Sequence, residues 1–219
     1  MLDLLDPETD KLTVQLIRFC ERPVVGGKSQ APAAPTEFAA GDTDQIDKAA
    51  DERIASVEFS PKDSAFKLRH PQGWESDTGS RPDKTYSWAT ISHDSAKIRI
   101  IADIKGSLMS GSDSSREHAE GSEFAPVHVA HELYKKTAAE DYGDFNEGKP
   151  AVFKGSQLGQ GRISVFTAAG EGLFGSKLRG YQVTLLTKGR RVTVLCHCPE
   201  KEYARLKPTF LAVCRSLPR

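Results

Sequence analysis

Cysteine is scarce in this chain. Four stand among 219 residues, Cys20, Cys196, Cys198 and Cys214, too few and too unevenly placed for a disulfide framework, so a reducing compartment, the cytoplasm, is expected. The opening Met1-Leu2-Asp3-Leu4-Leu5-Asp6 has neither a cationic region nor a sustained apolar stretch and does not read as a secretory signal. Ile17-Arg18-Phe19, ahead of Cys20, lacks the small residues of a lipoprotein site. No run approaches the ~18 apolar residues of a membrane span, and no membrane partner is expected. Net charge is absent as well, with 30 Lys and Arg against 30 Asp and Glu. Nucleic acid is not an expected partner.

Catalytic signatures are missing too. Val25-Gly26-Gly27-Lys28-Ser29 resembles the end of a phosphate-binding loop, but Arg22 stands where the pattern needs its first glycine and no helix signal follows. No G-x-S-x-G elbow marks a nucleophilic serine, and neither zinc-protease order surrounds His128, His131 and Glu132. Those two histidines, three apart on an expected helix, read as structural or surface residues rather than ligands, His128 exposed and His131 partly buried. Cys196-His197-Cys198 falls on an expected strand, where neighbouring side chains point to opposite faces, so His197 cannot join both thiols on one ion. Cys196 and Cys198 share a face that Cys214 can approach, a three-thiol cluster that would suit soft metal or oxidation. Buried core is the reading for all three, because free cysteine packs as a small hydrophobe. Trp74 and Trp88 read as packing aromatics. No catalytic residue, cofactor or metal site is expected, and the chain does not read as an enzyme.

What is present is an uneven charge distribution and a clear run of elements. Residues 1–55 carry 6 cationic and 11 acidic side chains, residues 56–153 carry 12 and 16, and residues 154–219 carry 12 and 3. From Pro23 to Gly41 the chain is rich in Pro, Gly, Ala and Ser, the composition of a linker. Residues 12–19 satisfy strand and helix spacing equally. Residues 1–55 are therefore expected to form a poorly structured extension and residues 56–219 the folded domain. Within the latter, strand signals fall at 57–59, 65–69, 85–93, 97–104, 151–154 and 162–169, and a terminal hairpin pairs Leu178, Tyr181, Val183 and Leu185 with Val192, Val194 and Cys196 across Lys188-Gly189-Arg190. A helix is expected from Pro126 to about Tyr142, with Val127, Ala130, Leu133, Tyr134 and Ala138 facing inward. A second follows Pro199, with Tyr203, Leu206, Phe210, Val213, Cys214 and Leu217 on one face. Few helices and short connections predict an α+β fold, a mostly antiparallel sheet of six to seven strands covered by helices.

Three stretches together resemble the PsbP, Mog and DcrB-like fold family: Phe66-Lys67-Leu68-Arg69-His70-Pro71-Gln72-Gly73-Trp74, the hairpin of 181–186 and 191–196, and the closing segment from Pro199-Glu200-Lys201-Glu202-Tyr203 through Phe210 to Arg215-Ser216-Leu217. The resemblance covers residues 56–219. It implies a helix–sheet–helix (αβα) sandwich that acts as a binding or assembly module without enzymatic activity, and it supplies no catalytic residues. The family's Ran-binding member has an acidic binding surface, whereas the C-terminal third of this chain is basic.

Lys177, Arg179, Lys188, Arg190 and Arg191 are the candidate binding residues, because exposed guanidinium and ammonium groups on a hairpin grip carboxylates or phosphates. Lys188, Arg190 and Arg191 are expected at one sheet end. The same charges also serve to guard edge strands against aggregation. The expected function is a non-enzymatic protein-binding module with an acidic partner; the alternative is a small-molecule or lipid carrier with a cleft between sheet and helix.

Overall fold

In a computed structural model of the chain, residues 48–60, 66–104, 125–153, 161–170, 176–187 and 190–217 are described. The chain divides into two units at Ala33–Ala34, and every described residue belongs to the second. Lys188 and the glycine-rich stretch at 25–29 lie outside the described residues, as does the ambiguous stretch at 12–19.

The element order is α1 (Lys48–Ile54), β1 (Val57–Phe59), β2 (Leu68–His70), β3 (Glu75–Ser80), β4 (Tyr86–His93), β5 (Ala96–Asp103), α2 (Pro126–Asp141), β6 (Asn146–Glu147), β7 (Ala151–Val152), β8 (Gly161–Ala169), β9 (Lys177–Thr187), β10 (Arg190–Pro199) and α3 (Glu200–Ser216). Eight strands form one antiparallel sheet in the order β3-β4-β5-β10-β9-β8-β6, with β7 also on β8, while β1 and β2 pair as a separate ribbon. The expected α+β sandwich is what forms. Its sheet is larger than expected because β3, Glu-Ser-Asp-Thr-Gly-Ser, is a mostly exposed strand with no apolar alternation, and β6 and β7 are only two residues each.

The strands have period-two alternation that feeds two unlike layers. On one face Ile91, Ile98, Ile100, Ile163, Tyr181, Val183, Leu185, Val194 and Cys196 meet Leu206, Phe210, Val213 and Leu217 of the α3 segment in a continuous apolar core. On the other, α2 covers a smaller cluster built on Ile101, Phe166 and Leu195 with Tyr134 and Ala138. Val127, Ala130, His131, Tyr134 and Ala138 are the buried side of α2. Leu133, expected inward, is 49% exposed, because it lies off the stripe that these five define, and His131 takes the inward place. His131 is fully buried, and His128, expected exposed, is half-buried.

Local chemistry sets the joints. Gly73 has φ +81, which L side chains rarely adopt, and so permits the turn from Pro71 into β3. Gly180, opposite His197, lies so close to β10 that a Cβ would sit 1.8 Å from the Cys196 carbonyl oxygen. Only glycine fits there without moving backbone. Asp94 takes φ +51 in the tight turn between β4 and β5. The end of α3 is tied down twice: the Ser216 hydroxyl accepts from the Arg69 amide (2.8 Å), with its one proton between the Val213 (2.7 Å) and Arg69 (3.1 Å) carbonyls, and Arg215 reaches the Asp51 carboxylate of α1 at 3.3 Å.

Candidate functional site

Of the five candidate cations, the structure describes four and distributes them between the two ends of the sheet. Arg190 and Arg191 open β10 at one end. The Arg190 guanidinium donates to the Lys84 carbonyl oxygen at 3.0 Å. Arg191 is buried, 2.6 Å from the Asp103 carboxylate on its register partner in β5, and its guanidinium lies 5.8 Å from the Tyr134 ring centroid. Burial pushes the Tyr134 phenol up to about 12. Arg191 thus clamps β10, β5 and α2 together, a partner in β5 that local sequence does not reveal.

Lys177 and Arg179 start β9 at the opposite end, beside the first turns of α3. Both approach Glu200, at 3.3 and 3.8 Å, and Arg179 stacks 4.7 Å over the Tyr203 ring. Arg205 makes two bonds to Glu202, at 3.0 and 2.9 Å. Across from them His93 approaches Asp94 at 3.2 Å and stacks on Trp74, ring centroids 5.8 Å apart. Between these groups lies an open cleft of ≈ 270 Å³ lined by His93, Asp94, Ser95, Ala96, Lys201, Glu202, Arg205 and Leu206. Its lining is chiefly charged, whereas a carrier of apolar ligands requires an enclosed and mostly apolar cavity. Asp94, Glu200 and Glu202 each already hold a basic side chain, and Lys201 has no carboxylate partner among the described residues. The Lys177 and Arg205 side chains are 61% and 69% exposed. This corner therefore presents ammonium and guanidinium groups to solvent around a shallow recess.

A second polar constellation lies under α2, and sequence inspection singled out only its histidine. His131 Nδ1 is 3.0 Å from the Thr184 hydroxyl, and Nε2 is 2.9 Å from the Ser164 hydroxyl and 3.2 Å from Glu147 Oε1. Ser164 also donates to Glu147, and the Gln182 amide donates to the His131 carbonyl at 3.0 Å. Serine, histidine and carboxylate together suggest acyl transfer, but the geometry differs from that arrangement. There the carboxylate holds the imidazole nitrogen remote from the serine; here serine and carboxylate share Nε2, and Thr184 occupies Nδ1. All these side chains are buried. The constellation fastens α2 to β6, β8 and β9. Its signal was the polar residue at alternate positions of β8 and β9, Arg162 and Ser164 opposite Thr184 and Gln182, a pattern that reads as a solvated face until a helix is known to cover it.

All three cysteines expected in the core are buried. Cys196 and Cys214 Sγ atoms lie 3.7 Å apart, and Cys198 is buried on the same sheet face. Burial pushes the Cys196 thiol well above its ordinary range and Cys198 up to about 11, which favours the neutral thiols of a core. Among the described residues no group of three or more His, Cys, Asp or Glu side chains is arranged to hold a metal ion. Also among them, no helix is long and apolar enough to cross a membrane.

An antiparallel sheet with α1 and α3 on one face and α2 on the other defines an αβα sandwich. No family model matches the chain, and no curated protein matches it. Solved structures similar to it include the cyanobacterial PsbP (CyanoP) of Synechocystis sp. PCC 6803, with 10% identity over 74% of this chain and 91% of that one and a TM-score of 0.45. The Saccharomyces cerevisiae Ran-binding protein Mog1p is similar at 9% identity over 74% and 94%, with a TM-score of 0.42. A Pseudomonas aeruginosa protein of unknown function, PA94, is similar at 16% identity over 74% and 96%, with a TM-score of 0.40. These solved structures include both a PsbP protein and a Mog protein.

Proposed function

We propose that this chain is a non-enzymatic binding module that takes an acidic segment of a protein partner at the sheet end formed by the start of β9, the turn between β4 and β5, and the first turns of α3. One observation carries this reading: Lys201 at the cleft has no carboxylate partner among the described residues, and Lys177 and Arg205, though they approach Glu200 and Glu202, keep side chains 61% and 69% exposed. A partner's carboxylates meet cations there without displacing buried structure. Exposed charges of this kind chiefly raise association rates and are screened over ~8 Å at physiological ionic strength. Arg191 contributes to the fold through Asp103 instead.

The test uses the full chain. A partner is isolated by affinity capture and its association rate measured across salt concentrations, for wild type and for the triple variant Lys177→Ser, Lys201→Ser, Arg205→Ser. The variant is expected to melt within about 4 °C of wild type, since the two exposed pairs it removes contribute about 0.5 kcal/mol each. At low salt it should associate about tenfold more slowly, and the two rates should converge as salt rises. Equal rates at low salt remove this corner from the interface.

A further inference from the structure

Cys196 on β10 and Cys214 in the last turn of α3 face each other across the sheet–helix interface, sulfurs 3.7 Å apart. We propose that this pair is a redox modification site, closing to a reversible disulfide that staples α3 to the sheet when the chain meets a small-molecule disulfide such as oxidised glutathione.

Geometry selects this pair among the three buried thiols. A disulfide needs sulfurs at about 2.05 Å, so the two must approach by less than about 2 Å. Rotation of the side chains and a small settling of a helix end can provide that. Cys196 and Cys198, by contrast, are two residues apart on one extended strand. Their Cα atoms are separated by about 6.5–6.8 Å with side chains side by side, at the upper limit for a disulfide and attainable only by bending β10.

The chemistry balances as two exchanges. One cysteine loses its proton, its thiolate attacks a sulfur of oxidised glutathione, the glutathione S–S bond breaks and one glutathione thiolate leaves with that proton. The second cysteine, deprotonated in turn, attacks the protein sulfur of the mixed disulfide and displaces the other glutathione, which takes the second proton. Two protein thiols lose two electrons, and the glutathione disulfide gains them as two thiols.

Neither thiol is open to attack in the closed fold, since both are fully buried and burial disfavours the thiolate. The path runs through the end of α3. Cys214 lies two residues before Ser216, the end of α3, and that turn is held by the bonds of Ser216 to the Arg69 backbone and of Arg215 to Asp51 on α1. Releasing those ties exposes Cys214. The rate of oxidation therefore reports how often the last turn of α3 comes free of Arg69 and Asp51, and the product ties that turn to β10.

The test is made on the full chain with Cys20→Ser and Cys198→Ser, exposed to oxidised glutathione and mapped by proteolysis and mass spectrometry. The expected product is lighter by about 2 Da, joins the peptides containing Cys196 and Cys214, reverts with dithiothreitol, and melts about 5–10 °C above the reduced chain. Asp51→Ala should speed its formation several-fold, since it removes one tie. Wild type is mapped in parallel so that the result does not depend on the variant folding. Glutathione adducts without a cross-link, a wild-type cross-link through Cys198, or a cross-linked product that melts lower would each overturn the proposal.

Discussion

His197 shows how a single residue records the character of the layer around it. It points toward the α2 side of β10, edge to face with Tyr142 at 5.3 Å between ring centroids, and neither ring nitrogen has a hydrogen-bond partner among the described residues. Burial, with a smaller contribution from the Lys97 ammonium, pushes its pKa down from 6.5 to about 4. The folded chain therefore binds fewer protons than the unfolded chain between those two values. The stabilisation is fully present above about pH 6.5 and is lost as pH falls toward 4. A displacement of this size corresponds to about 3 kcal/mol across the window. Urea unfolding at pH 7 and pH 4.5 should show His197→Leu losing less stability on acidification than wild type. Equal losses in the two proteins would mean that His197 is hydrated in the folded state.

At the scale of elements, α1 makes the sharpest claim. It lies just before the boundary expected at residues 55 and 56, yet Ala55 is buried, Ile54 packs on the core, and Asp51 meets Arg215 at 3.3 Å. A chain beginning at Lys48 should therefore be more stable than one beginning at Ser56 by about 2–3 kcal/mol, read as a higher melting temperature, although both should unfold cooperatively. Identical melting curves would assign α1 no part in stability. The same element marks what the sequence made legible. It falls in a stretch expected to be part of a poorly structured extension, because the helix it packs on lies some 150 residues away and no local signal joins the two. The central strands and α3 were readable because apolar alternation and helical spacing come from burial itself. Strand β3 was not, since one of its edges and most of its side chains face solvent and burial imposes no pattern on them. The candidate site divides likewise: the cations were evident from composition, but Arg191's use in the interior depends on Asp103 far back in the chain.

For the whole molecule, the two faces of the sheet differ in what they bury. The α3 face is a continuous apolar core, whereas α2 rests on a smaller apolar cluster and on the His131, Glu147, Ser164, Thr184 and Gln182 constellation. Net stabilisation from hydrogen bonds is modest because water offers the same bonds to the open state. Neither helix has a side-chain cap, but α3 carries Glu200 and Glu202 in its first turn to complement its dipole and α2 has no acidic residue there. Native-state hydrogen exchange should accordingly find the amides of α2 exchanging about tenfold or more faster than those in the middle of α3, with α2 opening before the sheet does. Matched protection in the two helices would show that the polar layer holds as firmly as the apolar one.

The strand order has a consequence for synthesis. Strand β10 lies between β5 and β9, so it joins two blocks, β3–β5 and β6–β9, that are both made before it. As the chain leaves the ribosome each block has a bare inner edge and an uncovered apolar face. Neither can be completed from its own residues, because α3 follows β10 as well. The growing polypeptide thus carries two unfinished half-sheets until their common partner emerges, and a premature stop before Arg190 leaves them open to pairing with other chains.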